Sequence, residues 1–465
     1  MDIAIVSIFF WVMILVGLFS LKAVKNTAGF FVADRRGTTT AITGSLLATI
    51  IGGSGTIGLA GLGYSKGLAG AWWMLVGAIG LMVLSIFFAS KVRGFKVFTL
   101  PEILEAQYGG STVKIVASFL IATAWLGIIS AQIIAAGKIL SVLWPGQLPL
   151  LMIISASVFI IYTVLGGQYS ILRTDLIQSI IIISGILVCL VAGIFATKGL
   201  AATPGQLPEG FFSFPTSPEF TVRELLHYFL FVGATFLVGP DIYSRIFSAK
   251  NKETAQKSTM IAALVMVPLA FGITFIGITA RMLLPEIPPE SALPSLIMQI
   301  IPAGLSGLVI AALLAAMMSS ADTCLLTTGI IISADIIQPL FGSKMSEKKL
   351  LMISRLCVMV AGTLSLVIAL EIQSIIAALL VGYTIYSSGL VVPIILGFYR
   401  KRLKLNTLGA IVAVIAGGGL GLYLKTGGYN NLLLVTLPLS AIFLIGGSYA
   451  GRFLSLKKKT NVIKA

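Results

Sequence analysis

Histidine, cysteine and charged side chains are scarce in this chain, and each scarcity closes off a class of function. The 465 residues hold one histidine, His227, which cannot build a metal centre alone and leaves little acid–base chemistry. The three cysteines, Cys189, Cys324 and Cys357, are widely spaced, each within an apolar run. They offer no CxxC pair, no zinc spacing and no disulfide framework. No HExxH motif and no nucleophile–base–acid set at one depth is visible, which argues against a membrane enzyme. Charged residues make up 10%, where a soluble domain carries about 25%. No linker or soluble domain interrupts the chain, so a fused kinase or receptor module is not expected. Basic runs interleaved with aromatics are missing as well. The net charge of +16 is therefore not read as a nucleic-acid signal.

What is present is apolar sequence, 57% of the residues, with a mean hydropathy of +1.05. That composition describes an all-α polytopic membrane protein. Apolar segments at about 3–21, 40–64, 70–90, 113–143, 149–165, 175–196 and 223–247 give expected helices 1 to 7. Those at about 260–284, 303–340, 352–370, 374–396, 408–424 and 432–450 give helices 8 to 13. With this assignment about 26 of the 32 Lys and Arg fall on one side, among them Lys22, Lys25, Arg245, Lys250 and Lys344. The positive-inside pattern places the protein in a cell (inner or plasma) membrane with its N-terminus outside and its C-terminus cytoplasmic. The N-terminal run lacks a basic region ahead of it and is expected to be a retained helix, not a signal peptide. Trp72 and Trp73, at the start of helix 3, fit an interfacial aromatic belt.

Helices 2 to 6 and 7 to 11 form two blocks of five. An odd number per block inverts the second relative to the first. Each block opens on an interrupted helix, at Gly52-Gly53-Ser54-Gly55 and at Gly233 to Gly239-Pro240. Glycine costs up to about 1 kcal/mol inside a helix, so the first cluster reads as a broken or closely approached segment. Inverted blocks with breaks in matching places point to a secondary transporter. The expected units are 1–39 (first helix and loop), 40–198 (first repeat), 199–221 (an outer loop), 222–398 (second repeat) and 399–465 (two further helices and a basic tail).

Helix 9 carries an unusual polar stripe. At about 100° per residue, Ala316, Ser319, Ser320, Thr323 and Thr327 share one face, with Asp322 at its edge. Such an oxygen-rich face suits a hard cation. Hydroxyls that bond back to their own helix or to a neighbour are the structural alternative. A carboxylate at membrane depth marks an ion or substrate path by default. Asp175, in the first turn of helix 6, has a simpler reading as a partner of the helix dipole. An ion channel could also use an oxygen-lined helix face, but no repeated pore-loop signature is visible.

Several stretches together resemble the sodium:solute symporter family, whose members include sodium/proline, pantothenate, sialic acid and glucose symporters. They are FFVADRRG, ATIIGGSGTIGLAG, FTLPEILEAQYG, GGQYSILRTDLIQ, GPDIYSRIFSAKNKETAQ and AAMMSSADTCLL, in that order along residues 29 to 330. The resemblance implies a leucine-transporter-like fold, a five-plus-five inverted repeat with one extra N-terminal and two extra C-terminal helices. It also implies sodium as the coupling ion. By matching position, Ala48, Ile51 and Ala316 would supply carbonyls, and Ser319 and Ser320 hydroxyls, to one sodium site. Asp175, Asp322 and Thr323 match a second site used by some members, where Asp322 replaces a hydroxyl; two carboxylates there could bind a cation, or one could hold a proton. Expected substrate contacts are Gly52, Gly53, Ser54 and Thr56, then Gln132, His227, Tyr228 and Tyr383, although a lone membrane histidine more often bonds a neighbouring helix and the tyrosines could be packing residues. Exposed Gly52 and Gly53 amides would suit a carboxylate such as an amino acid or monocarboxylate. A sugar or polyol is the second expectation, because few amide and acid side chains are visible in the candidate walls. The partners implied are the solute, sodium and membrane lipid, with no nucleic acid and no obligate protein partner.

Overall fold

The computed structural model describes residues 1–20, 26–198, 207–341 and 345–464. Lys22, Lys25, Lys344 and residues 199–206 of the expected outer loop lie outside the described residues. The regular elements among the described residues are all helical. That outcome follows from the environment, since a spanning segment must satisfy its own backbone hydrogen bonds where no water can.

Ten helices among the described residues are long and apolar enough to cross a membrane, joined by two shorter apolar helices, Asp2–Val16 and Thr39–Ile50. The structure thus joins some of the thirteen expected spans and divides others. Expected helices 5 and 6 run as one 49-residue helix, Leu148–Ala196, kinked at Gly167 with φ 60° and ψ −173°. The Phe30 ring fills the place a side chain would take there, so both backbone and packing require glycine. Expected helix 2 is divided. Its first half, Thr39–Ile50, stops at Ile51, where ψ is 33°. A wide turn at Ser54–Gly58 leads into Leu59–Lys66, and helical structure continues through to Gly94.

Helix 7 is interrupted in the corresponding place. Val222–His227, Tyr228–Gly233 and Ala234–Val238 end at Gly239, where ψ swings to 124°, and Pro240–Ser248 starts afresh. Pro240 has no N–H to leave unsatisfied, so it sits without loss at the first turn of the new half-helix.

Helix 9 comprises Leu305–Ile330 and its continuation Ile331–Ile337 and Gln338–Phe341. It lies at the centre: 94% of its most apolar window is buried, against at most 67% for any other span. The Leu148–Ala196 helix, Ser111–Ser141, Glu347–Ile372 and Asp2–Ser20 surround it. A buried helix with the five consecutive polar or small residues Ser319 to Thr323 needs polar neighbours, and these helices supply them.

The second half of helix 2 packs on helix 8, Lys252–Leu283, through small residues. A Cβ at Gly277 would overlap the Ala60 carbonyl oxygen, and one at Gly63 the Thr274 carbonyl oxygen. Gly277→Ala is expected to lower unfolding stability by about 1–3 kcal/mol. Gly446→Ala, where a Cβ meets nothing within 4 Å, should leave it unchanged or raise it, as thermal unfolding in detergent would show.

Candidate functional site

A helix that stops inside a membrane leaves its last carbonyls without partners. At the end of Thr39–Ile50 those partners come from helix 9. Ser319 Oγ donates to the Ala48 carbonyl at 2.8 Å and to the Ala316 carbonyl at 3.0 Å. Ser320 Oγ donates to the Thr49 carbonyl at 2.5 Å and to the Ala316 carbonyl at 3.1 Å. Ala48, Ala316, Ser319 and Ser320 are therefore brought together, and all are buried. Ile51, the fifth residue expected there, is the buried residue at which the half-helix turns away. Gly52 permits the close approach, because a Cβ on it would overlap Ser320 Oγ. The gathered oxygens are all uncharged. If the two hydroxyls turn their protons aside, lone pairs of hydroxyls and carbonyls converge, a donor set suited to a hard monovalent cation.

Beside this junction lies a buried guanidinium. Arg245, expected to mark the basic side of the membrane, is 0% exposed and is no guide to topology. Its Nη2 donates to Asp175 Oδ2 at 2.9 Å, to Thr49 Oγ1 at 2.7 Å and to Thr323 Oγ1. Its Nε donates to Ser45 Oγ at 2.9 Å, and that hydroxyl donates in turn to Asp175 Oδ2 at 2.5 Å. A charge is tolerated here because it is paired and its donors are satisfied. Asp175 and Thr323 thus meet on Arg245. Asp322 has a different partner, accepting from Thr163 Oγ1 at 2.9 Å. The signal that would have found Arg245 is its position five residues ahead of Lys250, inside the apolar segment, with an intramembrane acid in want of a partner.

A central cavity opens against both features. Thr49, Ser54, Gln132, Ser320 and Tyr383 line it, with Trp73, Trp125, Thr235 and Asp241. Of the expected solute contacts, Ser54, Gln132 and Tyr383 are on its wall. Gly53 N–H instead donates to Gln132 Oε1 at 2.8 Å. Thr56 Oγ1 donates to the Gly52 carbonyl at 2.9 Å and so repairs the helix break. His227 and Tyr228 line a separate pocket with Arg223, Glu224, Lys425 and Asn430. Tyr228 lies one layer from the central cavity, its ring edge-on to Trp73 at 5.3 Å.

Trp73 is itself a correction to the interfacial-belt expectation. It is 4% exposed, with Tyr383 on it at 6.4 Å. The described part of the loop before helix 7 covers the start of helix 3, where Phe214 stacks on Trp72 at 5.2 Å, so this end is roofed by protein. Asp241 was also missed. Its signal was an acid directly after Gly239-Pro240 in an apolar span. No Lys, Arg or His lines the cavity among the described residues.

The profile of the sodium:solute symporter family matches residues 30–417. The chain belongs to the sodium:solute symporter family. It is 28% identical to sodium/glucose cotransporter 4 of Danio rerio over 414 residues, 79% of this chain and 62% of that protein. It is 26% identical to the human (Homo sapiens) sodium/myo-inositol cotransporter over 415 residues, 77% of this chain and 57% of that one. The chain thus spans about three-fifths of the length of these relatives. Among solved structures, a substrate-bound, outward-open Na+-coupled sialic acid symporter superposes with a TM-score of 0.78 at 19% identity, covering 97% of this chain and 98% of that one. MhsT in complex with L-phenylalanine gives 0.58 at 14% identity, covering 86% and 98%. These likenesses establish the leucine-transporter-like fold.

Arg245→Met, which strands Asp175, is expected to cost about 3–5 kcal/mol of stability. Adding Asp175→Asn should restore part of that loss. Strictly additive losses in thermal unfolding of the two single variants and the double variant would show that the pair is not coupled.

Proposed function

We propose that this chain is a sodium-coupled symporter that takes up a small, neutral, polyhydroxylated solute of the sugar or polyol class. The observation that carries the coupling is shared structure. Ser320 and Thr49 belong both to the hydroxyl–carbonyl junction of helices 2 and 9 and to the cavity wall. A sodium ion held by Ala48, Ile51, Ala316, Ser319 and Ser320 would fix the broken helix against helix 9 and complete that wall. A ligand shifts a conformational equilibrium only through different affinities for its states, and a site divided between two elements that move apart has that property. Each charge entering the cell gains about 2.3 kcal/mol per 100 mV of membrane potential.

The cavity chemistry selects the solute. Gln132 and Asp241 offer an amide and an acid, Ser54, Thr235 and Tyr383 offer hydroxyls, and Trp73 and Trp125 offer apolar faces. That combination suits a ring bearing several hydroxyls. It disfavours the carboxylate expected from the sequence, since Asp241 would repel it, no basic group lines the wall, and the Gly53 amide is already bonded to Gln132. An amino acid would bring an ammonium for Asp241, but also a carboxylate with no cationic partner. The sodium/glucose and sodium/myo-inositol relatives support the same class. The proposed setting is a cell membrane, with lipid against the exposed apolar side chains of Ile177, Ile180, Met352 and Leu356 and the basic tail in the cytoplasm.

Purified protein in proteoliposomes should accumulate a labelled sugar or polyol under an inward sodium gradient. Equal uptake with potassium in place of sodium would overturn the coupling. Accumulation of amino acids or monocarboxylates alone would overturn the solute class. Ser319→Ala and Ser320→Ala should each raise the half-saturating sodium concentration about tenfold, the effect of about 1.4 kcal/mol of lost ligation. Wild-type sodium dependence in both variants would place the site elsewhere.

A further inference from the structure

We propose that the Arg245 guanidinium is a tethered cation occupying the second cation locus, so that one sodium ion moves with each solute. The inference rests on the sodium symport proposed above. The locus is the oxygen set made by the Asp175 carboxylate and the Ser45, Thr49 and Thr323 hydroxyls. A carboxylate ringed by three hydroxyls is what a hard cation would take. In this chain Arg245 Nη2 and Nε contact all four, two of them at 2.9 Å and one at 2.7 Å. The donor set fits a cation, and the chain itself provides one.

Charge balance closes the locus to a second ion. Asp175 is its one carboxylate, and the salt bridge to Arg245 neutralises it at 1% and 0% exposure. Sodium added beside the guanidinium would leave a net positive charge in a buried, low-dielectric place. Arginine does not lose its proton in proteins, so the fixed charge persists through any cycle. Asp322 is within electrostatic reach of both Asp175 and Arg245, but its carboxylate accepts from Thr163, shares no hydrogen-bonding partner with Asp175 and so is not a member of this oxygen set. Geometry also ties Arg245 to the sodium junction. Thr49 receives Arg245 on its hydroxyl and Ser320 on its carbonyl, so one residue joins the tethered charge to the transported one.

The test is the coupling ratio, measured from the reversal potential of solute flux in proteoliposomes at set sodium and solute gradients. Wild-type protein should give one sodium per solute and a hyperbolic dependence of uptake on sodium. Arg245→Met removes the fixed charge and frees the Asp175 oxygens. It should move the ratio from one towards two and make the sodium dependence sigmoidal. Arg245→Lys, which keeps a charge, should stay at one. A wild-type ratio of two overturns the inference, as does an unchanged ratio in folded, transporting Arg245→Met. If Arg245→Met does not fold, wild type and Arg245→Lys decide, and a ratio of two in either overturns it. Uptake indifferent to sodium removes the symport proposal, and the inference with it. That result is distinct from a sodium-dependent ratio of two.

Discussion

A helix broken at membrane depth must have its loose carbonyls satisfied by something other than water. In this chain that constraint falls at Ile51 to Gly53, and helix 9 answers it with Ser319 and Ser320. The consequences spread outward. Gly52 has to be glycine because Ser320 lies against it. Gln132 is held in place because the next free amide, that of Gly53, needs an acceptor. Helix 9 has to be central because its polar residues need neighbours on several sides. The same oxygens that repair the break are the ones a sodium ion would take, so structural repair and ion binding compete for a single set of atoms. A junction of that kind is held together in one way without the ion and in another with it.

The second organising element is a charge pair. Asp175, Arg245, Ser45, Thr49 and Thr323 join helix 6, the half-helix after Gly239-Pro240, the first half of helix 2 and helix 9. Both interrupted helices therefore meet at one buried ion pair, next to the cavity that they line. Parting Asp175 from Arg245, or exposing either to lipid, would carry a large penalty. Asp175 and Arg245, on helices 6 and 7, are expected to stay together, and the uncharged hydroxyl–carbonyl junction between helices 2 and 9 is the softer contact.

Much of this was visible in the sequence because the anomalies are local. Three glycines in four residues and a row of hydroxyls stand out within apolar runs, and each identified its own element without knowledge of the other. Pairing was the harder part. Gln132 reads as a solute ligand alone until its Oε1 is seen to hold the Gly53 amide as well, and Thr56 reads as one until it is found on the Gly52 carbonyl. Arg245 was hidden by context, since a basic residue shortly before Lys250, Lys252 and Lys257 looks like part of a topological signal. Trp73 was hidden by Trp72 beside it, which does meet the loop. His227 and Tyr228 share a helix with Asp241, yet only Asp241 reaches the central cavity, because the turns at Tyr228–Gly233 and Gly239 rotate the faces between them.

Equilibrium binding of radioactive sodium to the purified protein, without solute, addresses the helix 2–helix 9 junction most directly. Saturable binding is expected, displaced by unlabelled sodium but not by potassium, and lost when Ser319 and Ser320 are both replaced by alanine. Undiminished sodium binding in that double variant, shown to be folded by its thermal unfolding, would contradict the assignment of the junction as the sodium site.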